Sequence, residues 1–344
     1  MILEGWYVAA WSDELTEAPI ARTICNNPVV IFRTAEGKAA ALLDRCCHRA
    51  APLSLGRVVG GGIECGYHGM VFDCAGKCVA IPAQDTIPAS AKVRSYPTVE
   101  KNEMVWIWTG EPSLADESQI VDFPYHDDKE HWGFKHTVYK IAANHMLPVD
   151  NLMDLTHVFY VHRKTIGSGD PKAHMGADIT TTVKDRGVKF VSWMMDSAPP
   201  ATFVRTTGST SHIDRWREFE FIAPGNVVQF AGGEQAGKGR QAYEENWLDG
   251  GYRLRRFHCF TPETDNTTHY FSSVGNGHRP HDQASVDELF HEIDTTVRED
   301  IAMVEAQHQE LERVGEEGLV AIKSDATRIA MRRVVTRLLE QQNK

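Results

Sequence analysis

The sequence is short of positive charge. Its 344 residues hold 36 Lys plus Arg against 47 Asp plus Glu, a formal net charge of −11. Neutralising phosphates requires a basic surface, so general nucleic-acid binding is excluded. No apolar stretch approaches the ~20 residues that span a bilayer, and no repeat or low-complexity tract appears. No Gly-x-Gly-x-x-Gly run joins a strand to a helix, as a nicotinamide site requires. Cysteine occurs an odd 7 times, so the thiols cannot all pair within one chain. The opening MILEGWYVAAWSDEL carries Glu4 where a secretory leader carries Lys or Arg. A reducing, cytoplasmic protein with neither nucleic acid nor membrane as partner is expected. Against these absences, 7 Cys stand beside 16 His, which puts metal binding first among the possibilities. At ~150 residues per domain, the length predicts two domains.

Residues 1 to about 112 are rich in short β-type runs (Trp6 to Ala10, Val29 to Phe32, Ala39 to Leu43, Gly69 to Phe72, Met104 to Trp108) punctuated by Gly and Pro. Gly110 to Asp122 has linker composition, and the pattern then changes. The domains are therefore placed at 1–112, all-β, and 113–344. In the second, Lys135 to Ala142 reads as a strand, and Val183 to Val274 as alternating strands. Arg217, Phe219 and Phe221 share one face there, and Tyr252, Leu254, Arg256, His258 and Phe260 another. From Ala284 to Arg313, Val286, Leu289, Phe290, Ile293, Val297, Ile301 and Val304 recur at three- and four-residue intervals, an amphipathic helix. A last helix is predicted from about Asp325 to Gln342. The fold class is α+β, with an antiparallel sheet packed against helices in the second domain.

Two constellations carry chemistry. Cys46-Cys47-His48 and Cys65-Gly66-Tyr67-His68 place one Cys and one His on each of two loops. Two thiolates and two imidazoles suit tetrahedral zinc, or a [2Fe–2S] cluster in which two His replace two Cys on one iron. Zinc fingers pair Cys with Cys and His with His. The mixed order here favours the Rieske cluster. Cys25, Cys47, Cys74, Cys78 and Cys259 read as packing residues. The second constellation is Asp154, His157 and His162 within an apolar run. On a regular α-helix His157 and His162 lie ~140° apart, so one metal can join them only if the helix ends or distorts, as at a π-type turn. Asp154 can hydrogen-bond His157 and fix its tautomer. For a third ligand, Asp300 falls on the buried stripe of the C-terminal helix, with Asp294 as runner-up and Glu299 on the polar side. His157, His162 and Asp300 would form a 2-His-1-carboxylate triad, with satisfied core histidines and a buried ion pair as the bland alternative.

These residues, together with Gly5-Trp6-Tyr7-Val8-Ala9-Ala10, Val93-Arg94-Ser95-Tyr96-Pro97 and Asp150-Asn151-Leu152-Met153-Asp154, resemble the Rieske non-haem iron oxygenases. Asp214-Arg215-Trp216, Ala223-Pro224-Gly225-Asn226 and His258-Cys259-Phe260-Thr261-Pro262 look like the branch typified by vanillate O-demethylase, toluenesulfonate methyl-monooxygenase and dicamba O-demethylase. Asn144-His145-Met146 departs from it, since that branch more often has Asn, an aromatic and Lys. The resemblance implies one [2Fe–2S] cluster on Cys46, His48, Cys65 and His68 and one mononuclear Fe(II) on His157, His162 and Asp300. It implies a helix-grip-like catalytic domain, a head-to-tail homotrimer, and a catalytic Asp154 passing an electron from His68 of one subunit to His157 of the next. It further implies a separate NAD(P)H-dependent reductase, dioxygen as co-substrate and an aromatic substrate. O-Demethylation of an aryl methyl ether is the expected reaction. Benzylic methyl hydroxylation, ring dihydroxylation and pure electron transfer are the alternatives. His258 matches a substrate-contacting histidine of this branch, and equally suits a structural role. An anionic substrate needs a local cation, for which Arg205, Arg215, Arg217, Arg255 and Arg256 are candidates.

Overall fold

The computed structural model describes residues 1–82, 84–163, 165–167, 177–245 and 251–342. It divides into two compact units, Met1–Asp122 with Thr261–Asp265, and Phe123–Phe260 with Asn266–Lys344. The first unit thus reaches past the expected residue 112. Trp6 Nε1 donates to the Asp116 carbonyl at 2.8 Å, and Lys101 pairs with Asp122 at 2.9 Å, which ties the linker-like segment to that unit.

The first unit is built of β1 (Trp6–Trp11), β2 (Ile20–Ile24), β3 (Asn27–Arg33), β4 (Ala39–Leu43), β5 (Arg57–Val59), β6 (Gly62–Glu64), β7 (Val71–Asp73), β8 (Cys78–Ala80), β9 (Ser95–Tyr96), β10 (Thr98–Lys101) and β11 (Met104–Trp108). They form sheets ordered β1-β11-β10, β2-β3-β4-β9 and β5-β6-β7-β8. Strand β3 explains why its sequence is continuously apolar rather than alternating. Val29 and Ile31 enter one core with Tyr7, Ala41 and Ile107, while Val30 and Phe32 enter a second with Leu42, Ile63 and Phe72. A strand buried on both faces has no polar side to show. The second core also contains Cys46, Cys65 and Cys78, so the cluster-type cysteines are rooted in packed apolar side chains.

The second unit contains β12 (Gly133–Ile141), α1 (Met146–Leu152), α2 (Val158–Val161), β13 (Asp178–Lys184), β14 (Gly187–Ser197), α3 (Ala201–Thr207), β15 (Ile213–Ile222), β16 (Asn226–Gln235), α4 (Gly239–Glu244), β17 (Tyr252–Pro262), β18 (Thr268–Asn276), α5 (Gln283–Val314) and α6 (Ala326–Gln342). Its strands make one seven-stranded antiparallel sheet, ordered β12-β18-β17-β16-β15-β14-β13. The α+β class is as expected. Helix α5 starts where the Asp282 side chain accepts from Ser285 N and stops at Gly315, whose φ is 82°. Val286, Leu289, Ile293, Val297 and Val304 are its buried stripe. It packs on β12 and β18, and α6 packs on β13 and β14.

The pleat separates two environments. One face of β15 and β16 carries Trp216 and Phe230, packed with Trp132 and Trp193. The other aligns side chains in rows across three strands: Phe219, Gln229 and Arg256; Arg217, Ala231 and Leu254; Arg215, Gly233 and Tyr252. The two apolar faces predicted separately from the sequence are therefore one surface. No described helix is long and apolar enough to cross a membrane.

Candidate metal centres and the adjoining pocket

In the first unit the two Cys/His loops share one hydrogen-bond pattern. Cys46 N donates to the Ala51 carbonyl at 2.8 Å and Ala50 N to the Cys46 carbonyl at 3.0 Å. Cys65 N donates to Met70 at 2.8 Å and Gly69 N to Cys65 at 3.0 Å. Each turn closes through a left-handed residue, Ala50 at φ 60° and Gly69 at φ 73°. Gly66 is required for a different reason: a Cβ there would sit 2.6 Å from the Leu55 carbonyl oxygen. The matched turns bring the buried Cys46 and Cys65 thiols into hydrogen-bond contact. The exposed His48 and His68 rings lie edge to face, with centroids 4.5 Å apart.

Two buried thiols and two exposed imidazoles fit a [2Fe–2S] cluster, of which Cys46 and Cys65 would hold one iron and His48 and His68 the other. Burial pushes the Cys46 thiol up to about 11, so the thiolate that a metal needs is stable there only beside a cation. Cys78 is fully buried in the core, and Cys74 donates to the Gly61 carbonyl at 3.3 Å, in keeping with packing roles.

In the second unit His157, His162 and Asp300 bring ligand atoms within 4.8 Å of one another. The helix does change between the histidines, though not through a π-type turn. A 3₁₀ turn over Leu155–His157 runs into α2, which ends at His162 with φ −103° and ψ 34°. The rings reach a centroid separation of 5.4 Å at 77°. His162 Nε2 lies 3.0 Å and His157 Nε2 3.4 Å from the same Asp300 oxygen.

Both outer nitrogens are occupied. His157 Nδ1 donates to the Asp154 carbonyl at 2.7 Å and His162 Nδ1 to Glu299 Oε2 at 2.8 Å. With Nδ1–H fixed outward, both Nε2 lone pairs face a carboxylate oxygen, an electron-rich grouping that a cation makes favourable. Burial holds His157 below its ordinary pKa against the pull of Asp300. At His162 burial acts in the same direction, but Asp300 and Glu299 reverse it and raise the group. Asn151 Nδ2 donates to the shared Asp300 oxygen at 3.1 Å and steadies it.

Two expectations need correction here. Glu299, assigned to the polar side, bonds His162, because a residue at the edge of the stripe reaches inward. Asp154 orients His157 through its main-chain carbonyl. Its carboxylate instead accepts from Thr156 N at 2.9 Å and from Thr156 Oγ1 at 2.8 Å, capping the 3₁₀ turn. The runner-up Asp294 is engaged elsewhere, by Tyr139 at 2.6 Å and Arg298 at 2.9 Å.

A pocket opens between the β15–β17 rows and residues flanking His157. Leu155 and Val158 line it with Phe203, Ile293, Phe219 and Leu254, and Gln229, Arg215, Arg217 and Arg256 supply polar groups. His258, expected to touch substrate, is fully buried next to the lining residues Arg256 and Gln229. Its Nδ1 meets Tyr270 OH at 2.6 Å and its Nε2 meets Gln229 Oε1 at 3.2 Å. Burial keeps the imidazole well below its ordinary pKa, hence neutral. With Tyr270 donating to Nδ1, Nε2–H donates to Gln229, leaving the Gln229 amide NH₂ as the donor available to the pocket. Neither Gln229 nor Glu299 carried a sequence signal beyond its place on a strand or helix.

A thiol-and-imidazole double turn in a β unit, and a His-His-Asp site beside an apolar pocket in an α+β unit, define the oxygenase component of a Rieske-type system. Residues 5–97 match the Rieske [2Fe-2S] domain and residues 141–341 the vanillate O-demethylase oxygenase C-terminal domain. The chain belongs to the Rieske non-haem iron oxygenases of the vanillate O-demethylase type. The iron-sulfur subunit of the toluene-4-sulfonate monooxygenase system of Comamonas testosteroni is 34% identical over 98% of this chain and 97% of its own. A vanillate O-demethylase oxygenase subunit from a Pseudomonas species is 35% identical over 97% of this chain and 94% of its own. The crystal structure of dicamba monooxygenase bound to dicamba superimposes with a TM-score of 0.90 at 30% identity, over 100% of this chain and 99% of that one. The protein is accordingly a monooxygenase component whose cofactors are a [2Fe–2S] cluster and a mononuclear iron.

Proposed function

We propose that this oxygenase O-demethylates an aryl methyl ether of an aromatic acid, releasing formaldehyde, with electrons from a separate NAD(P)H-dependent reductase and dioxygen as co-substrate. Cys46, His48, Cys65 and His68 hold the cluster, and His157, His162 and Asp300 hold the iron. The observation that carries the reading is the apolar pocket, walled by Leu155 and Val158 on either side of His157. Bound iron supplies the dioxygen activation that no side chain can provide. The chain's own residues do the rest. Asp154 and Glu299 hold the two imidazoles in one tautomer, the aliphatic and aromatic lining excludes water, and Gln229 offers a hydrogen bond fixed from behind by His258. Hydroxylation of a methoxy carbon gives a hemiacetal, which collapses to a phenol and formaldehyde.

The similarity to a toluene-4-sulfonate monooxygenase subunit supports a second reading, hydroxylation of an aryl methyl group. Both reactions oxidise a methyl carbon held beside an aromatic ring, and one assay separates them. Purified protein with a surrogate reductase is given methoxybenzoates, methylbenzoates and toluenesulfonate. Formaldehyde from methoxy substrates supports demethylation, benzylic alcohol alone transfers the assignment to methyl hydroxylation, and a cis-diol refutes both. We further infer a cytoplasmic homotrimer with Asp154 on the path between the centres of neighbouring subunits. Sedimentation at a monomer or dimer mass would refute that assembly.

A further inference from the structure

The charged groups among the pocket's described residues are of one sign. Among the described residues no Asp or Glu lines it, yet it contains Arg215, Arg217 and Arg256. Of the five candidate arginines, Arg205 is paired with Glu292, and Arg255 lies over the ring of Phe230, 3.3 Å from its centroid, on the opposite face of the sheet. Arg256 reaches Gln229, Tyr270 and Ser272, each at 3.4 Å. Arg215 and Arg217 differ from these: among the described residues no acceptor meets either guanidinium. Arg217 is 6% exposed, and its Nε is buried without a partner. Buried arginines are ordinarily paired, because an uncompensated charge in an apolar setting is costly. The half-buried Arg215 beside Arg217 adds a second like charge.

The sheet fixes where they point. Arg215 and Arg217 are two residues apart on β15 and so share its pocket face. Their cross-strand neighbours on β16 are the small residues Gly233 and Ala231, with the Phe203 ring packed over Gly233. Burial pulls Arg217 down to about 9, with Arg215 adding to the effect, and pulls Arg215 down to about 10. Arginine nevertheless keeps its proton in proteins, so the pair stays charged until an anion compensates it.

We propose that Arg215 and Arg217 together seat the oxyanion head group, carboxylate or sulfonate, of the aromatic substrate and make the pocket selective for aromatic acids. The proposal rests on the reading of this pocket as the substrate site. The head group lies against β15, and the ring extends towards Leu155 and Val158, which turns the methyl-bearing end to the histidine side of the pocket. A planar guanidinium gives two parallel hydrogen bonds to an oxyanion, a geometry that lysine cannot reproduce.

The test is calorimetric binding to the holoenzyme with three probes that carry no oxidisable methyl: benzoate, benzenesulfonate and neutral benzamide. Arg217→Met and Arg215→Met are each expected to weaken at least one of the two anions ten- to hundredfold while leaving benzamide within threefold. Arg217→Lys should fall between Arg217→Met and wild type. Cluster absorbance and iron per subunit report folding, and Arg217→Lys preserves the test if a methionine variant fails to fold. Equal weakening of anions and benzamide, unchanged anion binding in the variants, or no anion binding by wild type would overturn the proposal. Failure of the demethylase reading looks different: the anions bind and respond to the variants, but no methoxyarene releases formaldehyde.

Discussion

Replacing Glu299 by Ala should loosen the mononuclear iron without touching the cluster. Glu299 Oε2 accepts from His162 Nδ1 at 2.8 Å and from Thr165 Oγ1 at 3.3 Å. The His162 side chain is 1% exposed and that of Glu299 30%. A hydrogen bond to a charged acceptor contributes ~1.5–3 kcal/mol, and solvent screening at a partly exposed carboxylate favours the lower half of that range. Removing it also leaves a buried N–H without an acceptor and frees the ring to take the other tautomer, which puts the proton on Nε2, where a metal needs the lone pair. A loss of about 2 kcal/mol is roughly thirtyfold in iron affinity, within the range seen when a partner of a metal-binding histidine is removed. Glu299→Gln keeps an acceptor oxygen and should cost only about threefold, as a neutral hydrogen bond replaces a charged one. Competition for Fe(II) against a chromophoric chelator gives the affinity, and visible absorbance of the cluster is the internal control. If Glu299→Ala binds iron within twofold of wild type, orientation of His162 does not depend on this carboxylate. If cluster and iron disappear together, the residue is structural.

Asp300→Ala should abolish the mononuclear iron at full cluster absorbance while Asp294→Ala keeps both; the reverse result would transfer the ligand role to Asp294. Gly66→Ala forces a Cβ to 2.6 Å from a backbone oxygen, and the strain of at least about 1–3 kcal/mol should fall on the cluster loop, so full cluster occupancy would contradict the geometry. His145 is buried with Nδ1 unpartnered, and burial holds it down at about 3. The unfolded chain therefore binds a proton that the folded chain does not between pH 6.5 and 3, and this stability is present above that window and lost as pH falls. At pH 5.5 the loss is about 1.4 kcal/mol, which His145→Leu should remove; urea midpoints with the same acid slope in variant and wild type would refute it. Asp154→Asn should keep the iron, because the main-chain carbonyl orients His157, and should lower only reductase-driven turnover; iron loss would show that the capping carboxylate shapes the site.

The parts legible in sequence are those whose chemistry is local. Cys-x-His and Cys-x-x-His lie on single loops, and the helix that carries Asp300 has a periodicity strong enough to place that residue on the inner face. The distortion between His157 and His162 followed from their spacing, although the form it takes, a 3₁₀ turn entering a short α-helix, was not legible. Glu299 was misplaced because helical periodicity sorts Cβ directions, and a glutamate has enough length to reach back across its own edge. His258 was placed on the correct strand face, but a face does not reveal depth. Gln229, one strand away and in register with Arg256, lines the pocket and hydrogen-bonds His258. The end of the first unit at 122 depends on hydrogen bonds from Trp6 and Lys101 to residues far along the chain, and no composition window contains those pairs.

Net charge misleads in the same way. At −11 the protein repels an aromatic acid at long range, but at physiological salt that field decays over ~8 Å. Recognition must then come from groups that meet the anion after water has left, where a charge interacts several times more strongly than at the surface. Arg215 and Arg217 satisfy that requirement because among the described residues no carboxylate accompanies them. In a basic protein an anion would find many surface cations of similar attraction. Here the surface competes less, and the guanidinium groups of buried Arg217 and half-buried Arg215 on one strand face suffice to set where the acid end of the substrate rests, and hence which methyl carbon is turned towards His157 and His162.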